Sequence, residues 1–360
     1  MVEEGLGKVK VAVAGVGNCA SALVQGVEYY RYKDDKAVGL TSFSLGGLEP
    51  GDIEFVAAFD VNQKKVGSDL SDAIFMKPNN TVKISDVPDL GVSVKRGPLL
   101  DGIGKYLKDV VKVSSDEGDD DVSSILKESG ADVLINYLPV GSTTATKAYA
   151  ESALDAGVAF INAMPVFIAS SEEWQAKFAE KGLPVAGDDV MSQLGATVLH
   201  KTLVKLFVDR GVKVDETYQL NLGGDTDFLN MLEESRLVDK RVSKTAAVKA
   251  MAPYDVPTRI GPSDYVEFLK NDKICYLWLK GRYFGNIPVM IDLKLHVIDA
   301  FDSAGVMIDA IRATKLALDR GIGGPLISAS AYCFKHPPVQ MPYEEAKKEF
   351  LAFTEGKKER

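Results

Sequence analysis

The chain is poor in the residues that build a disulfide scaffold or a thiolate metal site. Its 360 residues include three cysteines, Cys19, Cys275 and Cys333, far apart and in no C-x-x-C pair, which indicates neither arrangement and fits small side chains in a reducing compartment. Histidine is equally scarce. His200, His296 and His336 form no H-E-x-x-H or other close pair, so histidine-based zinc hydrolysis is not expected. No run of 18 apolar residues occurs, and the first eight residues are acidic where a secretory leader is basic, so a cytoplasmic protein with no membrane partner is expected. Positive charge is also in deficit. A formal net charge of −9 argues against nucleic acid or an anionic membrane as the main partner, and any basic pocket would stand out against it.

What is present is ordinary for a globular chain: 46% hydrophobic and 26% charged residues, with no internal repeat or low-complexity tract. The length suits two domains, or one large domain with a substantial insertion. Residues 9–17 are a β-branched run ending in glycines, and residues 18–30 continue as a helix former, so strand, tight turn and helix follow one another. Further strand-like runs end in polar or turn residues at 55–60, 92–95, 133–136, 158–162 and 183–187, with helix-like stretches at 122–129 and 142–156. This alternation predicts a parallel sheet covered by helices on both faces. The acidic run at 114–121 reads as a solvated loop near a helix N-terminus.

After about residue 210 the period changes to two. Ile287, Val289, Ile291, Leu293, Leu295 and Val297 alternate with Asp292, Lys294 and His296, the pattern of a half-buried strand. Residues 273–280 offer its antiparallel partner, and 303–320 return to a helical period that docks back on the first part. The expected fold class is α/β: a Rossmann-like, doubly wound parallel sheet with an inserted α+β catalytic and oligomerisation domain. Residues 1–200 and 300–360 form the first unit and 201–299 the second.

Gly15-Val-Gly17-Asn-Cys19-Ala20 fits G-x-G-x-x-G/A between strand and helix. The first glycine allows the turn, the second admits a pyrophosphate, and the helix N-terminus attracts the anion. Asp60 closes the next strand, where a carboxylate accepts both ribose hydroxyls and disfavours a 2′-phosphate, pointing to NAD. The interval from Ala20 to Asp60 is longer than usual, so an insertion around 29–51 is implied. Asn136-Tyr-Leu-Pro139 and Asn162-Ala-Met-Pro165 end strands at the ligand-binding edge or simply stop them. Residues 187–197 add a glycine turn, Asp188, Asp189, and a hydroxyl-bearing helix start with Ser192 and Thr197, a cation site beside backbone N–H groups or, for Asp188, an N-terminal cap. Lys240, Lys244, Lys280, Lys294 and Lys335 are surface residues or, if they converge, groups that bind phosphate and stabilise an enolate.

Gly15 to Tyr30, Gly102-Ile-Gly-Lys105, Tyr137-Leu-Pro-Val-Gly-Ser142, Gly187-Asp-Asp-Val-Met-Ser-Gln193, Asn221-Leu-Gly-Gly-Asp-Thr-Asp-Phe-Leu-Asn-Met231 and Ser243-Lys-Thr245 resemble, in order along nearly the whole chain, the shorter bacterial and archaeal branch of the myo-inositol-1-phosphate synthases. The resemblance implies a redox-neutral isomerase that cyclises glucose 6-phosphate, recycles bound NAD and forms a homotetramer. It implies NAD contacts at Gly15, Gly17, Asn18, Cys19, Asp60, Pro139 and Asp188, and a substrate-phosphate cradle at Ser192, Gln193, Gly195 and Thr197. It implies catalytic roles for Lys240, Lys244, Lys280 and Lys335. Asp189 and Asp299 resemble ligands of a cation (magnesium, potassium or zinc), although a serine ligand of related enzymes is replaced by Ala300. Two other readings predict different behaviour: an ordinary NAD-dependent dehydrogenase of a sugar phosphate or amino-acid derivative, and a catalytically inactive NAD-sensing scaffold.

Overall fold

The computed structural model describes residues 7–36, 38–115, 121–236 and 245–360. Two sheets organise them. The larger contains β1 (Val9–Ala14), β2 (Ile53–Asp60), β3 (Val94–Arg96), β4 (Val133–Asn136), β5 (Ala159–Asn162), β6 (Pro184–Gly187) and β11 (Gly324–Pro325) in the order β11-β6-β5-β4-β1-β2-β3, all parallel. Each of its longer strands needs both faces covered. In β1, Val9, Val11 and Val13 pack under the helices Asn18–Arg31 and Asp299–Asp319, whereas Ala12 and Ala14 face Leu126, Tyr149 and Phe178 of the helices Val122–Ser129, Thr143–Ala156 and Glu172–Glu180. Strand alternation therefore divides one core into two layers.

The order reverses between β1 and β4, which opens a crevice at the carboxyl edge of the sheet, where α/β proteins bind ligands. The chain leaves both strands there. Gly15 N–H donates to Phe59 O (2.8 Å) and Tyr137 N–H to Ala14 O (2.7 Å), so the two exits lie side by side.

The smaller sheet follows the helix Ala196–Asp209 and has the order β10-β9-β7-β8, with β7 (Lys213–Gly223), β8 (Thr258–Tyr265), β9 (Asp272–Arg282) and β10 (Pro288–Ile298). The expected antiparallel pair is β9 and β10, in register at Lys280 and Met290. One face, with Cys275, Leu277, Leu279, Ile291 and Leu293, packs on Val204 and Phe207 of the preceding helix. The opposite face displays Tyr218, Leu220, Tyr276 and Met290 to solvent, 37–59% exposed. The returning helix begins at Asp299, four residues before its periodic apolar pattern, because Asp299 and Asp302 occupy its first turn, where carboxylates suit the positive end of the helix dipole. No helix of the described residues is long and apolar enough to cross a membrane.

Candidate active site

A cavity of about 290 Å³ lies where the two sheets meet, and both contribute walls. From the large sheet come the Gly15–Cys19 turn, Asp60, Tyr137–Pro139 and Met164; from the small one Gln219, Asn221 and Lys273; from the connections Asp189, Ser192, Thr197, Asp225, Asp227, Asp299 and Lys335.

The glycine turn is shaped by close approach. Gly15 has φ +96°, and a Cβ there would meet Tyr137 O at 2.6 Å, whereas a Cβ at Gly17 would meet no protein atom within 4 Å and would stand in open space. The space at Gly17 is thus left for a ligand, as a dinucleotide pyrophosphate requires. Asp60 fixes the turn as well as bordering the cavity: its carboxylate accepts from the N–H groups of Val16 (2.9 Å), Val61 (2.7 Å) and Asn62 (2.8 Å). Asn18 accepts from the N–H groups of Asn80 and Thr81 and donates to the Asn80 side chain, fastening the loop that overhangs the helix start. Behind the turn Lys65, 3% exposed, donates to Val16 O (2.5 Å) and Asn79 (2.8 Å); burial lowers its pKa, with Asp60 opposing. Cys19 borders the cavity, and burial pushes its thiol up to about 12, so it is not a thiolate nucleophile.

Asp188 departs from expectation. It is fully buried, absent from the cavity wall, and accepts from Asn162, the N–H groups of Ile168, Ala169 and Ser170, and the Ser170 hydroxyl. Burial raises it to about 6, against those hydrogen bonds. It organises the turn after β5 and is not a dinucleotide contact. Asp189, at φ +61°, turns the chain back so that its own carboxylate reaches the cavity and pairs with Lys335 Nζ at 2.8 Å.

In the proposed phosphate segment, Ser192 and Thr197 border the cavity, but Gln193 turns away and donates to Gly39 O (3.1 Å). Gly195 precedes the first turn of Ala196–Asp209; a Cβ there would press to 2.4 Å on Ser192 Cβ. The first turn of that helix reaches the cavity at Ala196 and Thr197, and the free amide nitrogens of a helix N-terminus suit an anion.

Lys280 is corrected outright. On β9 it lies on the outer face, half exposed, paired with Glu216 at 3.0 Å. Lys273, at the other end of the strand, enters the cavity and pairs with Asp299 at 2.8 Å. Burial works against its charge, but Asp299, Asp302 and Asp225 outweigh burial and hold its pKa above the ordinary lysine value. Its signal was legible: odd-numbered β9 residues face the core, so a lysine in that set needs a buried partner. Lys240 and Lys244 lie outside the described residues.

The cavity wall carries six aspartates against three lysines among the described residues, so the expected concentration of basic groups is instead a set of lysines embedded in acid. Asp225 shows the consequence: burial, then Asp299 and Asp227, raise it to about 7. Asp302 is raised too, by burial first. The expected cation pair, Asp189 and Asp299, does not gather as a ligand set. Each meets a lysine ammonium, and no group of three or more His, Cys, Asp or Glu side chains that could hold a metal occurs among the described residues.

A sequence profile described as myo-inositol-1-phosphate synthase matches residues 195–300, the stretch from the helix start at the cavity to the head of the returning helix. Over almost the full length the chain is 54% identical to the inositol-3-phosphate synthase of Mycolicibacterium smegmatis, covering 99% of this chain and 100% of that one. The chain belongs to this synthase family. The Mycobacterium tuberculosis inositol-3-phosphate synthase is likewise 54% identical over 97% of this chain and 96% of its own. A solved myo-inositol-1-phosphate synthase-related protein from Thermotoga maritima superposes with a TM-score of 0.80, covering 96% of this chain and 98% of that one at 23% identity, which establishes the shared fold. The profile match also brackets Asp225, Asp227, Lys273 and Asp299, so the matched segment contributes part of the charged wall of this synthase-family cavity.

Proposed function

We propose that this chain is an inositol-3-phosphate synthase, an isomerase that converts D-glucose 6-phosphate to 1D-myo-inositol 3-phosphate while NAD stays bound and is recycled. The observation that carries this reading is the single cavity joining the Gly15–Gly17 turn to Lys273, Lys335 and the helix start at Ala196. NAD, when bound, supplies reversible hydride acceptance and return, so that no net redox change accumulates. Gly15, Gly17 and Asn18 would hold its pyrophosphate end, Asp60 its ribose, and Cys19 and Pro139 its flank. The Asp60 carboxylate would repel a 2′-phosphate, which favours NAD over NADP.

The chain's own residues then have distinct work. Ser192, Thr197 and the amide nitrogens after Gly195 receive the substrate phosphate. Lys273, kept cationic by its aspartates, faces the substrate oxygen on which negative charge develops as the carbon 5 ketone and then the enolate form. The enolate, formed by loss of a carbon 6 proton, attacks the carbon 1 aldehyde; the new carbon–carbon bond closes the ring, the carbon 1 oxygen takes up one proton in place of the one lost, and the carbon 5 ketone would regain the hydride removed from it. Lys335, paired with Asp189, positions substrate oxygens. Walls from both sheets keep water from the enolate. Residues 201–299 form the catalytic and oligomerisation part, and the open apolar face of the small sheet is the surface through which we expect a homotetramer to assemble.

The test is incubation with glucose 6-phosphate and catalytic NAD. Formation of inositol phosphate with no net NADH is expected. A steady rise in NADH absorbance with no inositol phosphate would instead identify an ordinary sugar-phosphate dehydrogenase.

A further inference from the structure

Four buried side chains form a polar row that ends at the cavity: Thr217, Gln219 and Asn221 on the inner face of β7, and His200 on the packed helix, each at most 3% exposed. The row has a direction. Thr217 Oγ1 lies 2.6 Å from the Trp278 carbonyl oxygen, which accepts only, so the one hydroxyl proton of Thr217 is there. Thr217 Oγ1 must then accept across the 2.8 Å contact with His200, which places the imidazole proton on Nε2. Burial lowers the His200 pKa to about 4, against a contact to the Gln219 oxygen that would favour the charged ring; burial prevails, so the ring is neutral and Nδ1 carries no proton. Gln219 stands with Oε1 facing Nδ1 at 3.3 Å, two acceptors in contact, so the amide is assigned the other way round, with its nitrogen donating to Nδ1. Gln219 Nε2 and Asn221 Oδ1 stand 2.9 Å apart, and reversing the first amide reverses the second: the Gln219 oxygen then accepts from the Asn221 nitrogen, and the Asn221 oxygen takes the place of Nδ2. The two ends of an amide occupy nearly equivalent positions, so the network assigns them. The remaining end of Asn221 is buried beside the cavity and has no partner among the described residues.

We propose that Asn221 presents its carbonyl oxygen to the cavity and accepts a hydrogen bond from a hydroxyl or amide N–H of the bound ligand, its orientation imposed by the row from Trp278 through Thr217, His200 and Gln219. The group recognised is a neutral donor. Phosphate or carboxylate oxygen at this point would meet another acceptor and is excluded from it. His200, Thr217 and Gln219 are positioning residues, because they act only through the amide they orient. The identity of the ligands rests on the synthase reading; the direction of the row does not.

Two experiments decide it. Solid-state 15N spectra of the full chain with labelled histidine, assigned with His296→Gln and His336→Gln, are expected to show His200 as the neutral Nε2–H tautomer at pH 7. An Nδ1–H tautomer or an imidazolium overturns the proposal. Calorimetric titration of Asn221→Ala with NAD, glucitol 6-phosphate and inorganic phosphate is the second. About five- to tenfold weaker binding is expected for NAD if its carboxamide is the donor, or for the polyol phosphate if a hydroxyl is, with inorganic phosphate unchanged. Weaker binding of inorganic phosphate, or no change for both donor-bearing ligands, overturns it. The tautomer is read on the unaltered chain without substrate, so it stays informative if Asn221→Ala fails to fold. Its failure is likewise separate from a failure to make inositol phosphate.

Discussion

Lys273 is surrounded by more negative charge than it can neutralise. Asp299 pairs with it, while Asp302 and Asp225 act from further away, and the result is an ammonium that stays charged although buried. Replacing it with methionine is expected to lower turnover about a hundredfold or more while dinucleotide affinity changes little, as product formation and fluorescence titration would show. Lys280→Met, on the outer face, is expected to leave turnover within about twofold, since an exposed ion pair contributes little. Asp225 supplies the pH dependence. Its folded pKa, about 7, lies above the unfolded value, so at low pH both states are protonated and it adds no penalty. Between about pH 4 and 7 the unfolded chain ionises first, and the folded state loses stability as pH rises through that window. Asp225→Asn is expected to flatten this fall, and melting temperatures at pH 5 and pH 7.5 would check it. Asn retains an oxygen to accept from the N–H groups of Asp227 and Phe228, so the helix cap is kept.

At the scale of elements, the Gly15 turn is the tightest constraint near the cavity. Gly15→Ala introduces a Cβ 2.6 Å from Tyr137 O at a positive φ, costing on the order of 1–3 kcal/mol. A lower melting temperature and loss of dinucleotide binding are expected. This element was fully legible in sequence, because strand, glycine turn and helix each leave a local pattern. So were β4, β5 and β6, whose continuous apolar runs end at the residues observed or within one of them. Two things were not legible. Apart from the strand-like run at 92–95, found as β3 (Val94–Arg96), the long stretch from β2 to residue 115 has no period to read; it is held by scattered pairings such as Ser114 N–H to Val61 O and Gln63 N–H to Lys112 O. The choice between Asp188 and Asp189 depends on a single left-handed residue, Asp189, which decides which carboxylate turns inward. For Lys273 and Lys280, alternation along β9 held the answer, since seven residues separate opposite faces.

For the whole molecule, the open face of the small sheet is the unpartnered surface. Tyr276, Met290, Tyr218 and Leu220 stand there together, with Tyr218 stacked on Trp278 at 5.2 Å. Tyr276→Glu combined with Met290→Glu is expected to reduce the assembled mass in sedimentation velocity while far-UV circular dichroism is kept. An unchanged mass would show that the subunits meet elsewhere. The two-residue period of β10 pointed to the other face, since its apolar odd positions Val289, Ile291, Leu293 and Leu295 pack on the helix Ala196–Asp209, and the open face is formed by even positions. Its register against β9, and so the joint patch, emerges only when the pairing is known.

The last residue of β10 and the first of the following helix are consecutive, Ile298 and Asp299. One extra residue at that joint would rotate the helix by about 100° relative to the sheet, swinging Asp299 off Lys273 and carrying Met307, Ile308 and Ile311 out of the large core. Natural length variation among relatives should therefore collect at hairpin tips such as Gly285 and leave this joint without gaps, and anyone recombining relatives to alter specificity will obtain working hybrids by cutting the chain at those tips rather than between its two sheets.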